Sequence, residues 1–538
     1  MFPYAEESFS EAESELLRRY FTNVEGPVFA LVNLPEVTKG ALFARYSRSN
    51  KSLRRLFLDE FVGDLDTSAD AGTDATVGVE RAERLYERVF LEYGDDSVAQ
   101  LGGVHLACEQ ASNLLTKVLE WGRLMAYLEQ STRYVAYDGR LSSGHYRYYR
   151  DPEVLESPLG ARYVGDMDRM FDCYAGLVPE LVGWLSRRHP REPGDSDLVH
   201  RQSVRAKAFD ALRGLLPAAS LSNVGIYGTG QSYEMLLLRM RSHPLPEARR
   251  YAELMLEELQ KVIPSFLRRL DVPERGGAWS EYLASTRDRT AELVEEMWAG
   301  APAGSGSPSE VRLVDFDPEG EDKVLAAMCY PHSSVGEQEV LRRVRLLPAA
   351  ERMAIARAYV GERANRRHRP GRAFERTDYR FDVVADYGAF RDLQRHRMLS
   401  IEWQELGPHL GYELPEVVEE AGLAKDFVAS LERSAELHGA MSEVFGSQAS
   451  YAVALAFRLR FVIQMNAREA MHVIELRSTP QGHPSYRHVV QQMYKLIAEQ
   501  AGHRVIAEAM KFADLSEPQL GRLDSERRAE ARRTSLAN

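Results

Sequence analysis

At 538 residues, with 44% hydrophobic and 28% charged residues, the chain has the make-up of a folded protein too long for one ordinary core, so two or more domains are expected. A formal charge of -12 argues against broad nucleic-acid binding but leaves room for a local basic pocket that takes one small anionic ligand. No apolar run is long enough for a membrane span, residues 1–8 lack the pattern of a secretory signal, and the three widely spaced cysteines (Cys108, Cys173, Cys329) suit neither a disulfide frame nor a zinc site, so a cytoplasmic protein with reduced thiols, no metal and no membrane partner is expected.

Ser10 stands three residues before Glu13 in a capping-box pattern and Leu16, Leu17 and Tyr20 follow at helical spacing, so residues 10–20 are predicted as a capped helix. The apolar run 28–34, bounded by Pro27 and Pro35, reads as a strand. Residues 80–90 carry a helical pattern, 93–97 a turn, and about 98–119 a long helical stretch. The segment 121–134 ends in Glu129, Gln130, Ser131 and Arg133. A hydroxyl beside an arginine can grip phosphate, and turn or capping duty explains the same residues equally well. Arg213 to Pro217 ends a helical pattern at a proline, and helical segments run on to about Trp298. The Gly/Ser/Pro-rich stretch within 299–312 is the best linker in the chain and separates expected domains at 1–298 and 313–538.

Helical patterns recur over 336–362, and the end of 370–383 alternates like a strand. Residues 391–406 then place Arg395, His396 and Arg397 side by side. As a charge run this is a solvated basic patch; as a site, two forked guanidiniums and an imidazole suit an anion. Phe457, Leu459, Phe461, Ile463 and Met465 alternate with polar or smaller residues at the period of a half-buried strand. Asn466 stands three before Glu469 as an N-cap would, and 467–477 reads as the helix it starts. Arg468 and His472 are four apart on one face of that helix, so the junction presents Asn466, Arg468 and His472 together, near an N-terminus that favours anions; a cap plus an exposed polar pair is the plainer account.

The two halves align without gaps over two windows. Placing Arg239 on Arg477 also superposes Leu238 on Leu476, Pro246 on Pro484, Arg249 on Arg487 and Met255 on Met493, a shift of 238; placing Arg123 on Arg397 is a shift of 274. The pattern is that of an internal duplication.

Both halves resemble the flavin-dependent thymidylate synthases, whose signature is Arg-His-Arg, then two residues and Ser, then Glu-x-Ser-x-Arg-Tyr. The first half keeps Arg123, Glu129, Ser131, Arg133 and Tyr134 but has Trp121-Gly122 and Ala126 in place of Arg-His and Ser. The second keeps Arg395, His396, Arg397 and Ser400 and loses the Ser-x-Arg ending. The family's Arg-x-x-Leu-Pro helix end is matched by Arg213 to Pro217 in the first half alone, and its Asn-x-Arg junction with a Leu-Arg helix end by Asn466, Arg468 and Arg477 in the second alone.

The resemblance implies a helix-rich α+β (mixed α/β) fold in two tandem domains, each a sheet packed with helices. It also implies an FAD-dependent enzyme that makes dTMP from dUMP, with methylenetetrahydrofolate and NADPH as co-substrates. By the same resemblance Arg395, His396, Arg397, Asn466, Arg468 and His472 would hold the flavin, and Glu129, Ser131, Arg133, Arg213, Arg395 and Arg477 the nucleotide. Arg477 would polarise the uracil carbonyl and Arg395 would bridge base and flavin. One chain would imitate two subunits, and a homodimer the family's tetramer. Neither half has the histidine of the family's Gly-His-x-Ser-x-x-Glu-His motif, which leaves two alternatives: another pyrimidine nucleotide as substrate, or a non-catalytic relative that binds nucleotide or flavin. A helix-rich α/β protein of coincidental resemblance is the third.

Overall fold

The computed structural model describes residues 8–25, 29, 31–46, 51–62, 100–132, 135–192, 196–300 and 310–517. The fold is helix-rich α+β with two antiparallel sheets. Two compact units are present: one takes Met1–Glu109, Leu124–Glu129 and Asn223–Ala299, the other Gln110–Arg123, Gln130–Ser222 and Gly300–Asn538.

The chain opens with α1 (Glu11–Tyr20), capped as its sequence predicts: the Ser10 hydroxyl accepts from Glu13 N, and the Glu13 carboxylate accepts from Ser10 N at 2.8 Å. Of the expected strand at 28–34, Leu31 pairs with Phe21 in a single bridge; residues 26–28 and 30, the expected helix at 80–90, the turn at 93–97 and the core of the linker at 301–309 lie outside the described residues.

The expected long helix at 98–119 is corrected. Residues Gly103–Ser112 form strand β1, and only Asn113–Leu119 is helical (α2). Val104 and Cys108 are buried while His105, Ala107 and Glu109 are exposed, a period of two that the apolar residues alone do not reveal. Close approach accounts for the two glycines at its start: a Cβ on Gly102 would lie 2.4 Å from the Phe266 ring, and one on Gly103 2.5 Å from Tyr227 Oη.

Strand β2 (Ala126–Glu129) follows, then α3 (Asp197–Leu212), β3 (Leu221–Thr229), α4 (Gly230–Arg241) and α5 (Pro246–Gln260). The strand order is β1-β3-β2. Beyond β4 (Glu310–Phe316) the same succession returns as β5 (Asp378–Asp386), α6 (Tyr387–Gln394), β6 (Ser400–Trp403), α7 (Ala424–Ser442), β7 (Arg458–Asn466), α8 (Ala467–Arg477) and α9 (Pro484–Glu499). Its sheet order, β4-β5-β7-β6, repeats that of the first with β4 added at the edge. Caps repeat too: Ser112 accepts from Leu115 N and Asp386 from Ala389 N, each at 3.0 Å.

In β7, Leu459, Phe461, Ile463 and Met465 are buried, as the alternation predicts, each worth roughly 1.5–3 kcal/mol of apolar burial. Register across the sheet sets Asp378 opposite Asn466 and Ser400 opposite Gln464, which brings the Arg395–Ser400 turn and the β7–α8 junction to one end of the second unit.

Candidate functional site

The expected junction forms. Asn466 Oδ1 accepts from Glu469 N at 2.9 Å and starts α8, which ends at Arg477. Facing it, α6 stops at Gln394, and the next three residues alternate in exposure: Arg395 and Arg397 outward, His396 buried.

His396 is the hub. Its Nε2 accepts from Arg477 Nε at 2.9 Å, and its Nδ1 lies 3.4 Å from Glu469 Oε1. With Nε2 accepting, the proton belongs on Nδ1, aimed at the carboxylate. Burial, reinforced by the Arg477 charge, pushes the imidazole down to about 3, so it is neutral at pH 7. His472 stands edge-on to His396 with ring centroids 5.3 Å apart, and burial pushes it down to about 4. Burial raises the Glu469 carboxyl.

Arg477 is also held from its other side. Its Nη1 lies 3.4 Å from Asp392 Oδ1, and the same carboxylate stands 3.8 Å from Nη1 of Arg213. Arg213 is buried, and its Nη2 has no hydrogen-bond partner among the described residues. Gly388 leaves room for this guanidinium, since a Cβ there would lie 3.1 Å from Arg213 Nη2. A buried donor without a partner is costly, and an anionic oxygen would satisfy it.

Of the remaining expected residues, Arg395 and Arg468 lie in the same unit as this core, each near a carboxylate. Arg395 Nε lies 3.8 Å from Glu120, whose carboxylate is buried in an ion pair with Lys117. Arg468 Nη1 stands 3.3 Å from Glu375 and its Nε donates to Pro370 O. Ser131, half-buried, sits in a turn where its carbonyl accepts from Val135 N at 3.2 Å, while Glu129 ends β2 in the first unit. Arg133 lies outside the described residues. Arg123, aligned with Arg397, donates through Nη2 to Ser400 Oγ at 2.8 Å.

Asp392 lies within residues 391–406 but belongs to no motif there, and Glu469 reads from the sequence only as a cap partner. No spacing rule announces a carboxylate that bridges arginines distant in the chain. His396, Glu469 and His472 each bring one potential ligand atom within 4.8 Å of the others, a geometry that could hold a metal ion. Its electrostatics oppose a dication: Arg477 occupies His396 Nε2, and Arg369 Nη2 lies 3.2 Å from His472 Nδ1.

The arrangement can therefore do three things. It holds two arginines at a fixed spacing through Asp392, fixes the orientation of Arg477 through a neutral histidine, and offers donors to an anion.

The sequence pattern of the thymidylate synthase complementing protein family matches residues 42–265 and 312–502. A UPF0159 protein of Chlamydia muridarum is 38% identical over 530 residues, covering 98% of this chain and 99% of its own, and one of Thermoplasma acidophilum is 33% identical over 518 residues, covering 91% and 98%. The solved structure of Thymidylate Synthase X from Helicobacter pylori with FAD and dUMP aligns with 38% of this chain and 100% of its own, at 14% identity and a TM-score of 0.28. The chain belongs to the thymidylate synthase complementing protein family, together with the UPF0159 proteins that match it end to end.

Proposed function

We propose that the protein is a flavin-dependent nucleotide methylase that makes dTMP from dUMP, with methylenetetrahydrofolate as carbon donor and NADPH as reductant. The observation that carries the reading is the Asp392 carboxylate between Arg213 and Arg477: the nucleotide-side arginine of the first half and the base-side arginine of the second are tied together within one unit. FAD, when bound, would supply the hydride chemistry, and the protein's share is positioning and electrostatics.

Arg395, His396, Arg397, Asn466, Arg468 and His472 would hold FAD, and Ser131, Arg133 and Arg213 the nucleotide phosphate. Arg477, kept in place by His396 and Asp392, would face the oxygen of the uracil on which charge develops as C5 bonds to the incoming carbon. A donor so placed lowers a barrier by ~3 kcal/mol. The C5 proton leaves, the methylene carbon transfers to C5, and NADPH with one proton supplies the two hydrogens that leave tetrahydrofolate and a methyl group.

Imitation of two subunits by one chain is supported by contacts that obey a twofold. Tyr387 Oη donates to Asn113 O at 3.1 Å, and these two residues are equivalent under the 274 shift. Pro217 bridges Ala454, and the swapped pair, Leu216 with Leu455, is joined by a hydrogen bond of 2.9 Å from Leu455 N. An isologous interface makes each contact twice with roles exchanged. On this reading the halves 1–298 and 313–538 are ancestral subunits, and a homodimer of chains completes the assembly.

The absence of the family's Gly-His-x-Ser-x-x-Glu-His histidine from both halves favours a second reading, another pyrimidine nucleotide as substrate. Anaerobic incubation with FAD, NADPH, methylenetetrahydrofolate and dUMP, followed by product mass, decides between them. A gain of one methylene on dUMP is expected; bound dUMP with no product sinks the dTMP reading. Ser131→Ala should abolish dUMP binding and leave the flavin spectrum intact, and loss of both ligands together would rule out the division of labour.

A further inference from the structure

Between Gly361 and Arg372 the chain carries five arginines, Arg363, Arg366, Arg367, Arg369 and Arg372, in a protein whose formal charge is -12. Arg363 is committed to structure. It is buried with Nη1 and Nη2 each 2.6 Å from the Glu475 carboxylate, and its Nε donates to His368 O at 2.6 Å. Arg372 pairs with Glu375 at 2.8 Å.

The far end of the loop is equally fixed. Arg468 Nε donates to Pro370 O at 3.0 Å, and Gly371 passes so close to Tyr359 that a Cβ there would lie 2.1 Å from its Oη. Between these pins Arg366, Arg367 and Arg369 have no carboxylate within ion-pair distance among the described residues. Arg369 turns toward α8, with Nη2 at 3.2 and 3.3 Å from the two ring nitrogens of His472. The charge of Arg366 also bears on His472, and with that of Arg369 it helps keep the ring uncharged.

Unpaired cations on a fixed backbone repel one another unless an anion lies between them, and guanidinium forks match phosphate oxygens. We infer that the 363–372 loop is a phosphate clamp, in which Arg369, against His472, and Arg366, three residues earlier on the same pinned loop, hold the phosphate or diphosphate of a nucleotide-type ligand. The inference rests on the proposed reading of α8 as the element that holds the dinucleotide cofactor, and it assigns the loop to the charged end of that ligand.

The test uses the full chain with inorganic pyrophosphate as probe, titrated by calorimetry at physiological salt, in wild type, in Arg366→Ala/Arg369→Ala and in the control Arg342→Ala/Arg343→Ala on an exposed helix. Far-UV circular dichroism checks that each variant is folded, and Arg366→Lys/Arg369→Lys, which keeps the charge, should recover part of the binding. Each lost charge-assisted bond should weaken pyrophosphate by roughly tenfold or more, so the double alanine variant should lose roughly a hundredfold while the control is unchanged. No pyrophosphate binding by wild type, equal affinity in the double alanine variant, or an equal loss in the control each overturns the clamp. So does a short single-stranded RNA that binds through these arginines where pyrophosphate does not. FAD binding is read separately by absorbance: pyrophosphate captured by the loop without FAD leaves the clamp standing and removes the flavin reading, and FAD binding indifferent to the arginines does the reverse.

Discussion

Substitution of Asp392 by asparagine isolates the charge that joins Arg213 to Arg477, because the side-chain volume is kept. At an effective dielectric of 20, a carboxylate 3.4 Å from one guanidinium nitrogen and 3.8 Å from another gains ~5 and ~4 kcal/mol before desolvation is charged against it. Breaking a buried pair by removing one partner costs ~3–5 kcal/mol net. Asp392 and Arg477 are each 16% exposed and Arg213 only 6%, so the lower end applies and Asp392→Asn should lose ~3 kcal/mol. Urea unfolding followed by circular dichroism reads this as a lower midpoint at unchanged slope. Asp392→Ala should cost at least as much. A loss below ~0.5 kcal/mol in the asparagine variant would mean that Asp210, 3.5 Å from Arg213 Nη1, and His396 already hold the two arginines, and the bridge would not be a structural element of the site.

Other outcomes follow from the same geometry. Because the folded His396 titrates near 3 and the unfolded imidazole near 6.5, the unfolded chain takes up a proton first as pH falls, so this group's contribution is complete above 6.5 and erodes by ~2 kcal/mol down to pH 5. Glu469, raised by burial, works in the opposite sense, so the comparison to make is the stability slope of wild type against His396→Gln between pH 7 and 5; identical slopes would refute a buried neutral histidine. Lys117→Met should cost ~3–5 kcal/mol by leaving the Glu120 charge buried, whereas Lys117→Met/Glu120→Leu should recover most of it in thermal unfolding. Asn466→Ala removes the cap of α8 and should cost ~1 kcal/mol in urea unfolding; under the proposed function it should also weaken FAD binding.

Local signals in the sequence were strong wherever a few neighbouring residues settle the conformation. The Ser10–Glu13 box, the Asn466 cap and the alternation of 457–465 are decided by groups within four residues of one another, and all three form as expected. The 98–119 stretch failed for the complementary reason. Its Gly103–Ser112 part is a strand lying beside β3, more than a hundred residues away, a neighbour that no local residue pattern announces. The duplication was legible because matched landmarks keep their spacing, and the fold repeats the same order of strands and helices.

The sequence by itself determined the family, the duplication and the clustering of Arg395, His396 and Arg397, since motif spacing and residue chemistry travel with the chain. Tertiary structure alone decided that Asp392 links Arg213 to Arg477, that His396 is buried and accepts from Arg477, and that Arg369 stands on a pinned loop against His472. Charges become partners or orphans only when burial and distance are set, and those are properties of packing between segments far apart in sequence.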